Sequence, residues 1–179
     1  MPSPIAHSAT AYFLYKITPQ KNRSIKSDRH HFIDLAYVIV IGNIADLDFI
    51  PHLILEGSFH RGPSHSLCIA LLISLGCTLV FKWFHQSTFQ RWFLLTIGIY
   101  ISHLILDFWT AGGSGMQLLW PFTDAFIKSP IAFFPSVRHS EGLFYPGHIF
   151  FITFETIYSI VLLLFINRYQ KYKRPNQNT

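Results

Sequence analysis

Apolar runs alternate with short polar or basic connectors along the chain. Residues 4–15 form the first run, with His7 near its start. The second, Phe32 to Ala45, holds Asp34 as its single charge. The third, Leu67 to Phe81, carries no charge and stops at Lys82. From Trp92 to Leu106 the chief polar interruptions are Thr96, Ser102 and His103. The last run, Ile149 to Asn167, contains one acid, Glu155. A bilayer-crossing helix needs about 20 mainly apolar residues, with a range of roughly 17 to 25. The last run meets that length, and the third and fourth reach it only with their flanks. The first two are too short to span alone. The pattern predicts an all-α, polytopic membrane helical bundle, with a buried bundle in a soluble protein as the competing reading.

Composition favours the membrane. Of 179 residues, 50% are hydrophobic, 17% aromatic and 13% charged, and the mean hydropathy is +0.32. A soluble domain carries about 25% charged residues, so neither a disordered chain nor an ordinary soluble surface fits. The formal net charge is +5. Its bases lie between apolar runs rather than clustered on polar surface, which argues against nucleic-acid binding. Cys68 and Cys77 both fall inside the third run. They read as small buried hydrophobes, not as a disulfide or a metal pair.

Placing the bases gives an orientation. Let the three long runs cross and Phe32 to Ala45 cross or dip. One side then receives Lys16, Lys21, Arg23, Lys26, Arg29, Lys82, Arg91, Arg168, Lys171, Lys173 and Arg174, which is 11 of the 14 bases. Arg61, Lys128 and Arg138 fall on the other. The basic side is expected to be cytoplasmic. The N-terminus lacks a basic n-region and His7 breaks the apolar stretch, so a cleavable signal peptide is not expected. Residues 1–167 read as a single membrane-embedded domain. Residues 168–179 read as a basic cytoplasmic tail near anionic lipid.

On this topology the unusual polar residues converge on the non-cytoplasmic face. His7 opens the first run, Asp46 and Asp48 close the second, and His60, Arg61 and His65 precede the third. His103 and Asp107 end the fourth, and His148 begins the last. His103 and Asp107 are spaced i, i+4 and share a helix face. One helix then offers an imidazole and a carboxylate, both common zinc ligands. The same pair also suits a mutual hydrogen bond where the helix leaves the bilayer. An ionisable pair at membrane depth is a functional candidate by default. Asp46 and Asp48, two apart, imply a helix end or turn where both reach one site. One of them alone is explained by N-capping.

In His60-Arg61-Gly62-Pro63-Ser64-His65-Ser66 the glycine and proline impose a turn, and Ser64 is the expected cap of the helix through Leu67. That helix N-terminus and Arg61 suit an anion, phosphate above all. His60 and His65 flank the turn as ligands or as a general acid; a polar capping loop with incidental histidines is the plainer reading. Glu155 reads as a partner of a histidine or of Arg138, or as part of a polar seam between helices, and not as a ligand. Arg138, His139 and Glu141, and on the other side His30, His31 and His85, read as solvated. The connector from Phe108 to Gly147 is rich in Trp, Phe, Pro and Gly. Its rings suit the bilayer interface, as an aromatic belt or as a wall for a lipid pocket.

Three motifs together, GNIADLDFIPH, HRGPSHSL and SHLILDFWTAGGSGMQLLWPF, resemble the YdjM-like inner-membrane metal-dependent hydrolases. The resemblance covers residues from about 5 to 122 and includes a histidine near His7. That family is distantly similar to zinc-dependent phospholipase C and the P1-type nucleases, helical proteins that cleave phosphate esters with clustered zinc. By position, the resemblance implies a metal set of His7, Asp46, Asp48, His60, His65, His103 and Asp107, with Arg61 beside it. The chain departs from the pattern at Ala45 and Phe49, where the family often has Pro and His, with His52 the available substitute. Ser64 replaces the usual Thr and keeps the hydroxyl. The expected protein is a membrane-bound metal-dependent hydrolase of a lipid or lipid-linked phosphate ester. It would hold one to three divalent ions, zinc first, with Arg61, His65 and Asp48 as the catalytic candidates. The other reading is a non-enzymatic membrane protein that binds or moves metal or lipid. A third is a structural component in which these residues cap helices.

Overall fold

Ser3 and Pro4 set the first helix. The Ser3 hydroxyl accepts from the Ile5 amide, and proline in the first turn gives up no intrahelical bond. The result is α1, Pro4–Ile17. The computed structural model describes residues 2–19, 28–48, 61–84, 88–135 and 146–173. In these, the remaining apolar runs become α2 (Asp28–Asn43), α3 (Leu67–Phe84), α4 (Phe89–Phe108) and α5 (Gly147–Lys173). Two short 3-10 turns, Ile44–Asp48 and Pro63–His65, adjoin α2 and α3. Among the described residues there is no β-strand, only isolated bridges joining Thr110 to Phe134 and Met116 to Ile127.

Three helical segments are long and apolar enough to cross a bilayer: His30–Asp48, Phe89–Phe108 and Gly147–Lys173. The first corrects an expectation. The Phe32 to Ala45 run is short by itself, but the helix recruits His30 and His31 ahead of it and continues as a 3-10 turn to Asp48. That makes 19 residues. The uncharged run from Leu67 forms a shorter apolar helix. The cap of α3 also differs from expectation. Ser66, not Ser64, accepts from the Ile69 amide, because the 3-10 turn at Pro63–His65 carries Ser64 away from the helix start.

α1 packs against α2, α4 and α5, while α4 also packs against α2 and α3. Ala11, Tyr15, Val38, Ile41, Phe81, Trp92, Leu95 and Ile99 form the main core. Gly42 lets α1 and α2 approach closely: a Cβ there would lie 2.9 Å from Ala11 Cβ and 3.3 Å from the His7 carbonyl oxygen. The outer surface is apolar instead of charged. Leu72, Val80 and Trp83 of α3 and Ile149, Phe150, Val161, Leu164 and Phe165 of α5 are exposed, as expected of helices facing lipid.

Successive helices alternate in direction, so the start of α1, the end of α2, the start of α3 and the end of α4 share one end of the bundle. His7, Asp46, His65, His103 and Asp107 meet there. Lys16, Lys82, Arg91, Lys171 and Lys173 lie toward the opposite helix ends. α5 runs through Arg168 to Lys173 and takes those bases into its last turns.

Candidate metal centre

α4 supplies two of the central groups because His103 and Asp107 are one turn apart. His65 comes from the 3-10 turn ahead of α3, and Asp46 from the turn that ends α2. His65, His103 and Asp107 are almost wholly buried, and Asp46 nearly so. One ligand atom from each of these four residues lies within 4.8 Å of the others.

The donor set fits a divalent cation. His65 Nε2 lies 3.0 Å from Asp107 Oδ2 and 3.6 Å from Asp46 Oδ1. His103 Nε2 lies 3.5 Å from Asp46 Oδ1, 3.8 Å from Asp107 Oδ2 and 3.4 Å from His65 Nε2. A tetrahedral shell with bonds of about 2.0–2.1 Å places its donors roughly 3.3 Å apart, and the five separations above scatter around that value from 3.0 to 3.8 Å. Among the described residues, Asp46 Oδ1 and both Asp107 carboxylate oxygens are buried without a hydrogen bond of good geometry. Burying carboxylates in that condition is costly unless a cation or a well-paired donor is present.

Each imidazole turns its Nε2 toward this centre because its Nδ1 is held from behind. His103 Nδ1 lies 2.9 Å from the Gly42 carbonyl oxygen. His65 Nδ1 lies 3.1 Å from Asp48 Oδ2 and 3.0 Å from Ser64 Oγ. Outer partners of this kind fix ring orientation in metal sites. Burial opposes charge on His65, yet Asp107, Asp46 and Asp48 together outweigh it and raise its pKa well above the ordinary histidine value.

Asp48 therefore stands behind His65. Its Oδ2 accepts from Ser64 Oγ at 2.6 Å and from the Arg61 amide at 3.0 Å. His7 borders the opposite side, its ring stacked on that of His103 with centroids 3.8 Å apart. His7 Nε2 lies 3.6 Å from Asp107 Oδ1 and 3.9 Å from Asp46 Oδ2. Those are the carboxylate oxygens turned away from the His65–His103 pair. Among the described residues, neither nitrogen of this buried ring has a hydrogen bond of good geometry. Arg61 reaches in with Nε 3.8 Å from Asp107 Oδ2. His60, Arg138, His139 and Glu141 lie outside the described residues, as do Phe49, His52, His85, Phe144 and Tyr145.

Glu155 is buried but apart from the centre, bonded to the Ser3 amide and hydroxyl. It ties α5 to the cap of α1, and Thr10 and Tyr158 add a second link at 2.8 Å. The sequence reading missed Gly42, since a glycine's role as a close-approach point appears only when its neighbours are placed. In the connector, Phe122 is 90% exposed and Phe126 and Phe133 are exposed. Phe134 is buried edge-on against Phe154 and Tyr158 of α5.

Comparisons agree with this picture of a membrane protein. Over 72 residues the chain is 38% identical to the inner membrane protein YbcI of Escherichia coli (strain K12). That alignment covers 40% of this chain and 41% of the relative, so the match spans about two fifths of the relative's length. No solved structure matches. The profile of the YdjM inner membrane proteins matches residues 2–174, nearly the whole chain. The chain belongs to the YdjM inner membrane protein family, and it is a helical protein of the inner membrane.

Proposed function

We propose that this protein is a membrane-bound metal-dependent hydrolase acting on a phosphate ester of a lipid or lipid-linked substrate. The observation that carries the reading is the inward set of Asp46, His65, His103 and Asp107, with donor separations of 3.0 to 3.8 Å. These four residues would hold one divalent ion, with zinc suited to two imidazoles and two carboxylates. His7 and the second oxygens of Asp46 and Asp107 would hold another. A metal held there would supply Lewis acidity toward a phosphoryl oxygen and would bring the pKa of its bound water toward about 7.

The chain's own groups do the remaining work. Asp46 and Asp107 supply negative charge and each turns one oxygen toward His7 and one toward the His65–His103 pair. Asp48 and Ser64 hold His65 in place, and the Gly42 carbonyl does the same for His103. Arg61 provides positive charge for the phosphoryl oxygens as they become more negative. The site lies at a bundle end beside exposed aromatic rings, where a substrate anchored in the leaflet reaches it without leaving the bilayer.

Elemental analysis of the detergent-purified protein, paired with hydrolysis of a chromogenic phosphodiester and of phospholipid, tests the reading. Copurifying transition metal is expected, with turnover lost in Asp46→Asn and Asp107→Asn while helicity is kept. Absence of metal together with unchanged stability in chelator would sink it. Stoichiometric metal without turnover on any phosphoester would leave a binding protein instead.

A further inference from the structure

Arg61 is 7% exposed, yet among the described residues its guanidinium makes one ion pair, through Nε, and no side-chain hydrogen bond. A guanidinium presents five N–H donors in a fixed fork that matches phosphate. The Nη1 side of this fork lies under Gly113, where an added Cβ would stand 3.3 Å from it. Gly112 and Gly113 are exposed and both left-handed, with φ of 84° and 70°. The turn is pinned at its ends, where Ala111 donates to the Phe134 carbonyl at 2.8 Å and Met116 to that of Ile127 at 3.0 Å. Between them, no amide of residues 112–115 donates to a backbone carbonyl among the described residues.

Arg61 is itself left-handed, with φ of 60°, a conformation that non-glycine residues seldom adopt and that persists only where the surroundings enforce it. Here they do. Its amide donates to Asp48 Oδ2 at 3.0 Å, and its carbonyl accepts from the Gln117 amide at 3.1 Å. The start of α3 is a poorer anion site than the sequence implies. The Leu67 amide is taken by the Leu118 carbonyl at 3.0 Å and the Ile69 amide by Ser66 Oγ at 3.2 Å.

We propose that Arg61 and the Gly112–Gly113 turn form an anion subsite for the phosphate group of the substrate, joined to the metal centre through Asp107. Gly113 is its specificity-determining residue, since a Cβ there would stand 3.3 Å from Nη1 and crowd the donor edge of the guanidinium. The role assigned to the bound phosphate rests on the phosphoesterase reading; the binding itself does not.

Titration calorimetry of the full-length protein in detergent with inorganic phosphate, with and without chelator, tests this. The wild type binds phosphate in both conditions. Arg61→Gly suits the left-handed backbone and removes the guanidinium. It weakens binding roughly ten- to hundred-fold, as expected for losing charge-assisted hydrogen bonds, while melting temperature and metal content hold. Gly113→Ala weakens phosphate binding with metal content unchanged. Equal binding by wild type and Arg61→Gly, or no binding by the wild type, would overturn the subsite. Wild type that lacks metal but binds phosphate through Arg61 would refute the hydrolase and keep the subsite.

Discussion

Asp46 and Asp48 are chemically identical and two residues apart, yet they do different work. In a 3-10 turn, with three residues per turn, a two-residue step rotates the side chain by about 240°. Asp46 therefore faces the imidazoles, while Asp48 faces the loop and meets His65 Nδ1 at 3.1 Å. The sequence makes both look like ligands, because spacing alone cannot say which way a turn is wound. His103 and Asp107 were legible for the opposite reason: an i, i+4 pair on one helix has its geometry fixed in advance. If Asp48 orients rather than ligates, Asp48→Asn keeps metal bound but lowers its affinity about ten- to hundred-fold. Asp107→Asn and Asp46→Asn, which remove ligand charge, cost more than that. Competition of each variant with a calibrated chelator measures the difference. Equal losses for Asp48→Asn and Asp46→Asn would make Asp48 a ligand. In the same assay His7→Ala is expected to lower the bound metal by one ion, since His7 faces the carboxylate oxygens that the other histidines do not use.

At the scale of elements, the centre depends on how closely α1 can lie on α2. Gly42 is where they touch, and its carbonyl oxygen also receives His103 Nδ1 at 2.9 Å. A methyl group there meets Ala11 Cβ at 2.9 Å, a contact between two helices with no flexible side chain to yield. Gly42→Ala is therefore expected to destabilise by about 1–3 kcal/mol and to move His7 and His103 together. Thermal melting should show the loss, and the metal titration should show weakened affinity at both positions. A melting temperature and affinity unchanged from wild type would mean that α1 is held chiefly from its other side. That side is the Glu155 link to Ser3 and the Thr10–Tyr158 bond. The apolar runs made the helices themselves legible, since length and hydropathy are local properties. The extension of α2 through Asp48 was not, because the acids there resemble a stop signal until His65 and His103 are seen to receive Asp46. Nor was the cap of α3, where two serines competed and a 3-10 turn decided for Ser66.

At the scale of the molecule, one end of the bundle gathers buried acids and imidazoles and the other gathers Lys16, Lys82, Arg91, Lys171 and Lys173. Bases retained on the cytoplasmic side orient a membrane protein, and on that ground we propose that the candidate metal centre and the Arg61 subsite lie on the opposite face. The exposed apolar surface of α3 and α5 fixes that the helices meet lipid but is silent on which end is which. Orientation therefore rests on the charges alone and can be tested separately. Cys68 and Cys77 are free and half-buried in α3, so the test needs both replaced by alanine first. A single cysteine introduced as Ser114→Cys, in the exposed turn beside Arg61, is then expected to react with a membrane-impermeant maleimide from outside the inner membrane in intact spheroplasts. A second, Lys173→Cys, at the exposed end of α5, is expected to react only after the membrane is opened. The reverse pattern would place the site at the cytoplasmic face and end the case for a substrate reached from the other side, while leaving the candidate ligand set untouched. Labelling of both from outside would show instead that α5, the helix between the two positions, does not cross the membrane despite its length and apolar character.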